Sequence, residues 1–160
     1  MEVENMMRNI RVSVLLFDGD KLLVVNMKRP NSNIFVLAGG GLEHKESIFD
    51  AGIREVKEET NLDVVILKIA YIKELYTDTD ESLDIILLGN IVGGELKKGF
   101  DPEHGNNQIL HDVQWVDIHK IASLPFHPKQ LINRLHVDFA NNFVGGTKHL
   151  GRFKYPEDGH

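Results

Sequence analysis

Residues 39–64 read GGGLEHKESIFDAGIREVKEETNLDV, and the fold is decided there. Ser47, with Asp50 three residues on, has the spacing of a near capping box, so a helix is expected over about 47–60 with Ser47 as its N-cap. Asp50 suits the positive end of the helix dipole. Asn61 stands where the helix should stop, and Asn is the best substitute for Gly in a left-handed closing position. At 100° per residue, Ile48, Phe49, Gly52, Ile53 and Val56 fall on one face, which is the expected buried stripe. Glu55, Glu58 and Glu59 share another arc as i,i+3 and i,i+4 neighbours. Three clustered carboxylates repel by a few tenths of a kcal/mol per pair. Such an array of hard oxygens is what Mg²⁺ or Mn²⁺ requires. A Glu-rich face can also be simply solvated, and the cluster alone leaves both readings open.

Outward from this segment the chain reads mostly as strands. Arg11–Phe17 and Lys21–Asn26 are apolar, β-branched runs separated by Asp18-Gly19-Asp20, the pattern of a hairpin. Ile34–Leu37 is a short strand leading into a glycine loop. Asp63–Tyr76 and Leu83–Val92 read as long strands around a polar turn, and Gln108–Val116 as another. His127–Ala140 carries Leu131, Ile132, Leu135 and Phe139 at helical spacing, with Pro128 suited to the first turn. Residues 141–160 are Gly-rich and weakly patterned, and are expected to form a weakly structured C-terminal extension. Strands with one central and one late helix make an α+β pattern.

Composition narrows the function classes. The 160 residues fit one domain over 1–160 with a core of its own. The absence of cysteine excludes thiol catalysis and zinc ribbons. A net charge of −6 disfavours binding to a nucleic-acid backbone, and an acidic protein that handles a polyanion needs a cation between the two. Apolar runs are of strand length, too short for a membrane span, and MEVENMMRNI lacks the basic start and apolar stretch of a signal peptide. A soluble, cytoplasmic protein is the expectation. The histidines are scattered, with no metal-clamp spacing, and Trp115 reads as a core residue.

Gly40, Glu46, Arg54, Glu55, Val56, Glu58, Glu59 and Leu62 fall on the box G-x5-E-x7-R-E-U-x-E-E-x-G-U, where U is aliphatic. The chain thereby resembles the Nudix hydrolases. Eight of nine specified positions agree, and Asn61 departs where the family has Gly. Upstream, Phe35 and Ala38 stand where many members have Trp and Pro. The resemblance implies an α/β/α sandwich around a mixed sheet. It also implies metal-dependent hydrolysis of a small-molecule nucleoside diphosphate linked to a further moiety, with Mg²⁺ or Mn²⁺ as cofactor. Carried over by position, Glu55, Glu58 and Glu59 are implied metal ligands, with a backbone carbonyl from Gly39 or Gly40. Arg54 and Glu46 are implied to form an ion pair that orients the glutamates. A further carboxylate beyond the box is expected from Glu103 first and Asp112 second. A homodimer is compatible with this reading. The substrate stays open, because Thr77–Asp80 carries neither the Pro nor the Tyr that mark two of the family's subgroups. The alternatives are a Nudix-fold binding or regulatory module without catalysis, and an unrelated α+β interaction protein with a solvated Glu-rich helix.

Overall fold

A computed structural model describes residues 8–28, 30–97 and 110–155. Ten strands and two helices follow in the order β1 (Asn9–Leu15), β2 (Phe17–Asp18), β3 (Lys21–Lys28), β4 (Asn33–Val36), β5 (Ala38–Gly41), α1 (Ile48–Thr60), β6 (Leu62–Tyr76), β7 (Glu81–Gly94), β8 (Leu110–Asp117), β9 (Phe126–His127), α2 (Lys129–Ala140) and β10 (Lys148–Lys154). A 3-10 helix, Ile118–Ser123, precedes β9. One sheet runs β10-β6-β7-β1-β5, mixed because β1 lies parallel to β7 and β10 parallel to β6. The second runs β2-β3-β4-β9, with β8 also paired to β3.

Period-2 alternation sorts the side chains to two faces. Val12 and Val14 of β1, Leu23 and Val25 of β3, and Ile85 and Leu87 of β7 pack with Ala51 and Val56 of α1. Leu15, Leu22, Val24, Tyr71 and Ile86 point the other way and pack with Leu131 and Leu135 of α2. A strand such as β3, apolar on both faces, is what burial between two layers requires. Each fully buried Leu contributes on the order of 1.5–3 kcal/mol. The helices therefore flank the sheets, giving the α/β/α sandwich expected of an α+β chain.

Several expectations are corrected. The first apolar run is not one arm of a simple hairpin: β1 belongs to one sheet, and the chain switches at Leu16 so that β2 pairs with β3 in the other. The glycine loop is a strand, with Gly39, Gly40 and Gly41 in register with Ser13, Val12 and Arg11. The second helix begins at Lys129, one residue after Pro128.

The buried stripe of α1 is rotated by roughly 40° at 100° per residue. Ala51, Glu55, Glu59 and Thr60 are buried beside Gly52 and Val56, whereas Phe49 and Ile53 stay 41% and 37% exposed. Apolar periodicity misplaced the face because the neighbouring strand is made of glycines, which leave room for carboxylates against backbone.

The supposed weakly structured extension is also corrected, since β10 pairs with β6 along Lys148–Lys154. It is fixed by individual bonds more than by an apolar pattern. Lys68 donates to the carbonyls of Phe143 and Gly145, the Thr147 hydroxyl to that of Ile69, and Lys148 Nζ to Asp138 at 3.0 Å. Among the described residues, no helix is long and apolar enough to cross a membrane.

Candidate active site

Both ends of α1 are built as its sequence dictates. The Ser47 hydroxyl accepts from the Asp50 N–H at 3.0 Å. Asn61 closes the helix at φ +65°, its own N–H reaching Lys57 O at 3.0 Å. Its side-chain amide donates to Glu95 O, and the buried Thr60 hydroxyl donates back to Val56 O. These bonds fix the phase of the last two turns, where the glutamates lie.

Arg54 is the hub. Its Nε and Nη2 donate to the two oxygens of Glu46 at 2.6 and 3.0 Å, a bidentate fork. Nη1 donates to Glu55 at 2.9 Å and Glu58 at 3.2 Å, and Nη2 also to Gly41 O at 3.1 Å. All five guanidinium N–H groups can thus be used. Hydrogen bonding to Arg54 holds the Glu46 carboxyl below its ordinary range, and Glu46 in turn raises the Arg54 guanidinium.

Glu59, on the same face, accepts the Gly39 N–H at 3.0 Å. The carboxylate of Glu55 lies where a side chain on Gly40 would be, a Cβ there falling 2.4 Å from Oε1. Glu43, not singled out in the sequence, joins the cluster 3.6 Å from Arg54 Nη1 and donates its N–H to Glu46. Its place three residues before Glu46 was the available signal. Four carboxylates around one guanidinium, with Glu59 beside them at Gly39, leave a surplus of negative charge at the β5 edge.

The glycines are not equivalent. In an antiparallel strand, a residue's N–H and C=O point to the same side. The Gly39 N–H and the Gly41 carbonyl both face α1's side chains, away from β1. The Gly39 carbonyl therefore opens to the acidic cluster, while Gly40 turns its polar backbone to β1.

Arg54, Glu46, Glu55, Glu58, Glu59 and Gly39 are brought together. Asp112 lies in β8 opposite Asn26, its carboxylate accepting from the Val113 N–H. Glu103 lies outside the described residues. Trp115 packs against the core, and His119 stacks on His136 with centroids 5.7 Å apart, a pairing that spacing did not suggest. Among the described residues, no three carboxylates or imidazoles stand close enough as placed to enclose a cation. Arg54 Nη1 itself occupies the point on which Glu55 and Glu58 converge.

An α/β/α sandwich with an arginine-bridged glutamate helix on a glycine strand defines a known class. A family model described as the NUDIX domain matches residues 7–135, and the chain belongs to the NUDIX family. An ADP-ribose pyrophosphatase of Methanocaldococcus jannaschii is 27% identical over 129 residues, covering 77% of this chain and 70% of that protein. A NAD-capped RNA hydrolase NudC of Vibrio atlanticus is 30% identical over 114 residues, which are 71% of this chain but 38% of that protein. Among solved structures, a NUDIX hydrolase from Nitrosomonas europaea aligns with a TM-score of 0.69 at 23% identity, covering 85% of this chain and 90% of that one. An ADP-ribose pyrophosphatase from Streptococcus suis aligns with a TM-score of 0.66 at 20% identity, covering 89% and 99%. These likenesses to solved structures establish a shared fold.

Proposed function

We propose that the protein is a divalent-metal-dependent pyrophosphohydrolase that cleaves a nucleoside diphosphate linked to a further moiety. The observation that carries this reading is the cluster in which Glu55 and Glu58 converge on one positive nitrogen while Glu59 is held beside them by Gly39. The oxygens that now accept from one guanidinium nitrogen are hard donors of the kind Mg²⁺ and Mn²⁺ take, so the donor set fits such an ion. Glu55, Glu58 and Glu59 would hold it, with the Gly39 carbonyl in preference to that of Gly40. A bound divalent ion lowers the pKa of a coordinated water and screens the diphosphate.

The residues of the chain do the rest. Arg54 fixes the carboxylates in one arrangement, and Glu46 fixes Arg54. The surplus of carboxylates lets the site take up a cation while Arg54 remains. Glu103 is the first candidate for a proton-accepting carboxylate, and Asp112 the second. Relatives named as ADP-ribose pyrophosphatases support an ADP-sugar as the first substrate to try, ahead of nucleoside triphosphates.

The test is a hydrolysis panel over ADP-sugars and nucleoside triphosphates with Mg²⁺ or Mn²⁺. Turnover should vanish with excess chelator and return with either ion. Undiminished turnover in chelator would sink the mechanism. Tight ligand binding with no turnover of any member would favour a binding module instead.

A further inference from the structure

The outer face of α1 keeps apolar residues that the fold does not use. Phe49 and Ile53 belong to neither core cluster and stay exposed, although a helix lying on a sheet ordinarily turns polar groups outward. Beside them an open groove of about 410 Å³ runs between the helix and the start of β6. Ile53 and Lys57 line it from the helix, and Leu62 and Val64 from the strand. Arg54 and Glu58 also line it, so the groove follows the flank of the acidic cluster.

The charges on this face are ordered. Asp50 and Lys57 are seven residues apart, so at 100° per residue they fall within about 20° of one line along the helix. Ile53 and Arg54 lie midway, to either side of that line. Arg54 is folded back on Glu46, which leaves Ile53 as the exposed group at the centre. Among the described residues, the Asp50 carboxylate makes no hydrogen bond or ion pair; only its N–H is used, by Ser47. Lys57 donates to Asp63 at 3.0 Å and to Asn61 O at 3.2 Å, which leaves one of its three N–H donors. The line reads acid, apolar, base.

Such a line is complementary to itself when reversed. Two copies of α1 laid antiparallel across a twofold axis between Ile53 and Arg54 set Asp50 against the partner's Lys57, and Lys57 against the partner's Asp50. Both contacts lie about 5 Å from the axis along the helix, and Ile53 meets its own copy on the axis. Phe49 then comes level with the last turn of the partner helix, beside its groove. This reciprocity is what a twofold interface demands, whereas a small ligand or an unrelated protein has no need of it.

We propose that the outer face of α1 is a homodimer interface, in which Asp50 pairs with the partner's Lys57 in both directions and Phe49 fills the partner's groove beside Leu62 and Val64. A helix of 13 residues presents a strip about 20 Å long and about 10 Å wide, at the small end of specific interfaces. The dimer is therefore of micromolar strength and exchanges with monomer. It stands apart from the hydrolase reading and does not depend on it.

Sedimentation equilibrium of the full chain over about 1–500 μM should show monomer and dimer in exchange. Phe49→Ser should weaken the dimer about tenfold or more while leaving Tm at low concentration unchanged, because the ring is exposed in the single chain. Asp50→Lys and Lys57→Glu each oppose like charges at both contacts, so each alone should stay monomeric. Mixed one to one they should form a heterodimer within about threefold of the parent's strength, because every contact then joins opposite charges. A folding defect resides in each chain alone, and mixing would not repair it. Where a charge variant does not fold, Phe49→Ser decides. A parent that stays monomeric over the whole range overturns the proposal. Charge variants that dimerise like the parent, a mixture that does not recover, or a dimer indifferent to Phe49→Ser overturn it as well. If the parent is monomeric and Phe49→Ser instead raises KM for a substrate that the parent cleaves, the face is a substrate groove and the dimer falls.

Discussion

Gly39 and Gly40 stand side by side, yet a methyl group at each would meet different neighbours. At Gly39 it would lie 2.4 Å from Val12 O and 2.6 Å from Ser13 Cα, so the backbone of β1 must move. Gly39→Ala is expected to cost about 1–3 kcal/mol in thermal or denaturant unfolding. At Gly40 the obstacle is the end of the Glu55 side chain, which can swing aside. Gly40→Ala should therefore keep its stability to within about 1 kcal/mol and lose on the order of 100-fold in kcat/KM. Asn61 offers a second contrast, since its φ of +65° suits Gly and penalises branching. Asn61→Gly should be close to neutral, and Asn61→Val should cost about 1–2 kcal/mol by the same unfolding measurement. Glu58→Gln and Glu59→Gln remove charge while keeping shape, so turnover should fall by about 3 kcal/mol in transition-state terms while the metal-free Tm holds level or rises. Near-normal turnover in both would count against their role.

Element by element, α2 is held to the sheet through one buried acid. The Tyr71 hydroxyl donates to Asp138, and Arg134 and Lys148 each reach its other oxygen at 3.0 Å. Burial alone would raise the Asp138 carboxyl, but these partners together hold it below its ordinary value. A depressed carboxyl stabilises the fold above its unfolded pKa, about 3.9, and that contribution disappears as pH falls through the folded value. Asp138→Asn is expected to lose about 2 kcal/mol at neutral pH and to show a shallower fall in stability below about pH 4. A variant whose acid limb matched the parent's would refute the assignment. This hub was not legible in the sequence, where Asp138 is one acid in a mixed helix, with Arg134 a turn away but Tyr71 67 residues off along the chain. The caps of α1 were legible, because Ser47 and Asn61 act on backbone within a turn of themselves. The phase of that helix was only half legible: the box positions located the glutamates, but their burial depends on a strand of glycines whose pairing no local rule reveals.

For the molecule as a whole, the strand order decided more than composition did. The domain closes with β10 laid parallel along β6, a pairing between residues more than seventy apart in the chain. Its sequence, KHLGRFK, has neither alternation nor a run of β-branched residues, so pattern reading had nothing to detect. Deleting residues 148–160 removes that ladder and the Lys148–Asp138 bond. Tm should drop by on the order of 10 °C, and an unchanged melt would show that β10 adds no stability.

One consequence of the acidic edge lies outside catalysis. β5 is the last strand of its sheet, and an unpaired strand edge is a template on which another chain can add and aggregate. Here the outward N–H of Gly39 is occupied by Glu59 and the outward carbonyl of Gly41 by Arg54. The side chains that organise the carboxylates also deny this edge to a stray strand. Arg54→Met should accordingly give larger species in size-exclusion chromatography than the parent chain at equal concentration, before any substrate is added. A change aimed at the chemistry of this edge is therefore also a change in colloidal behaviour.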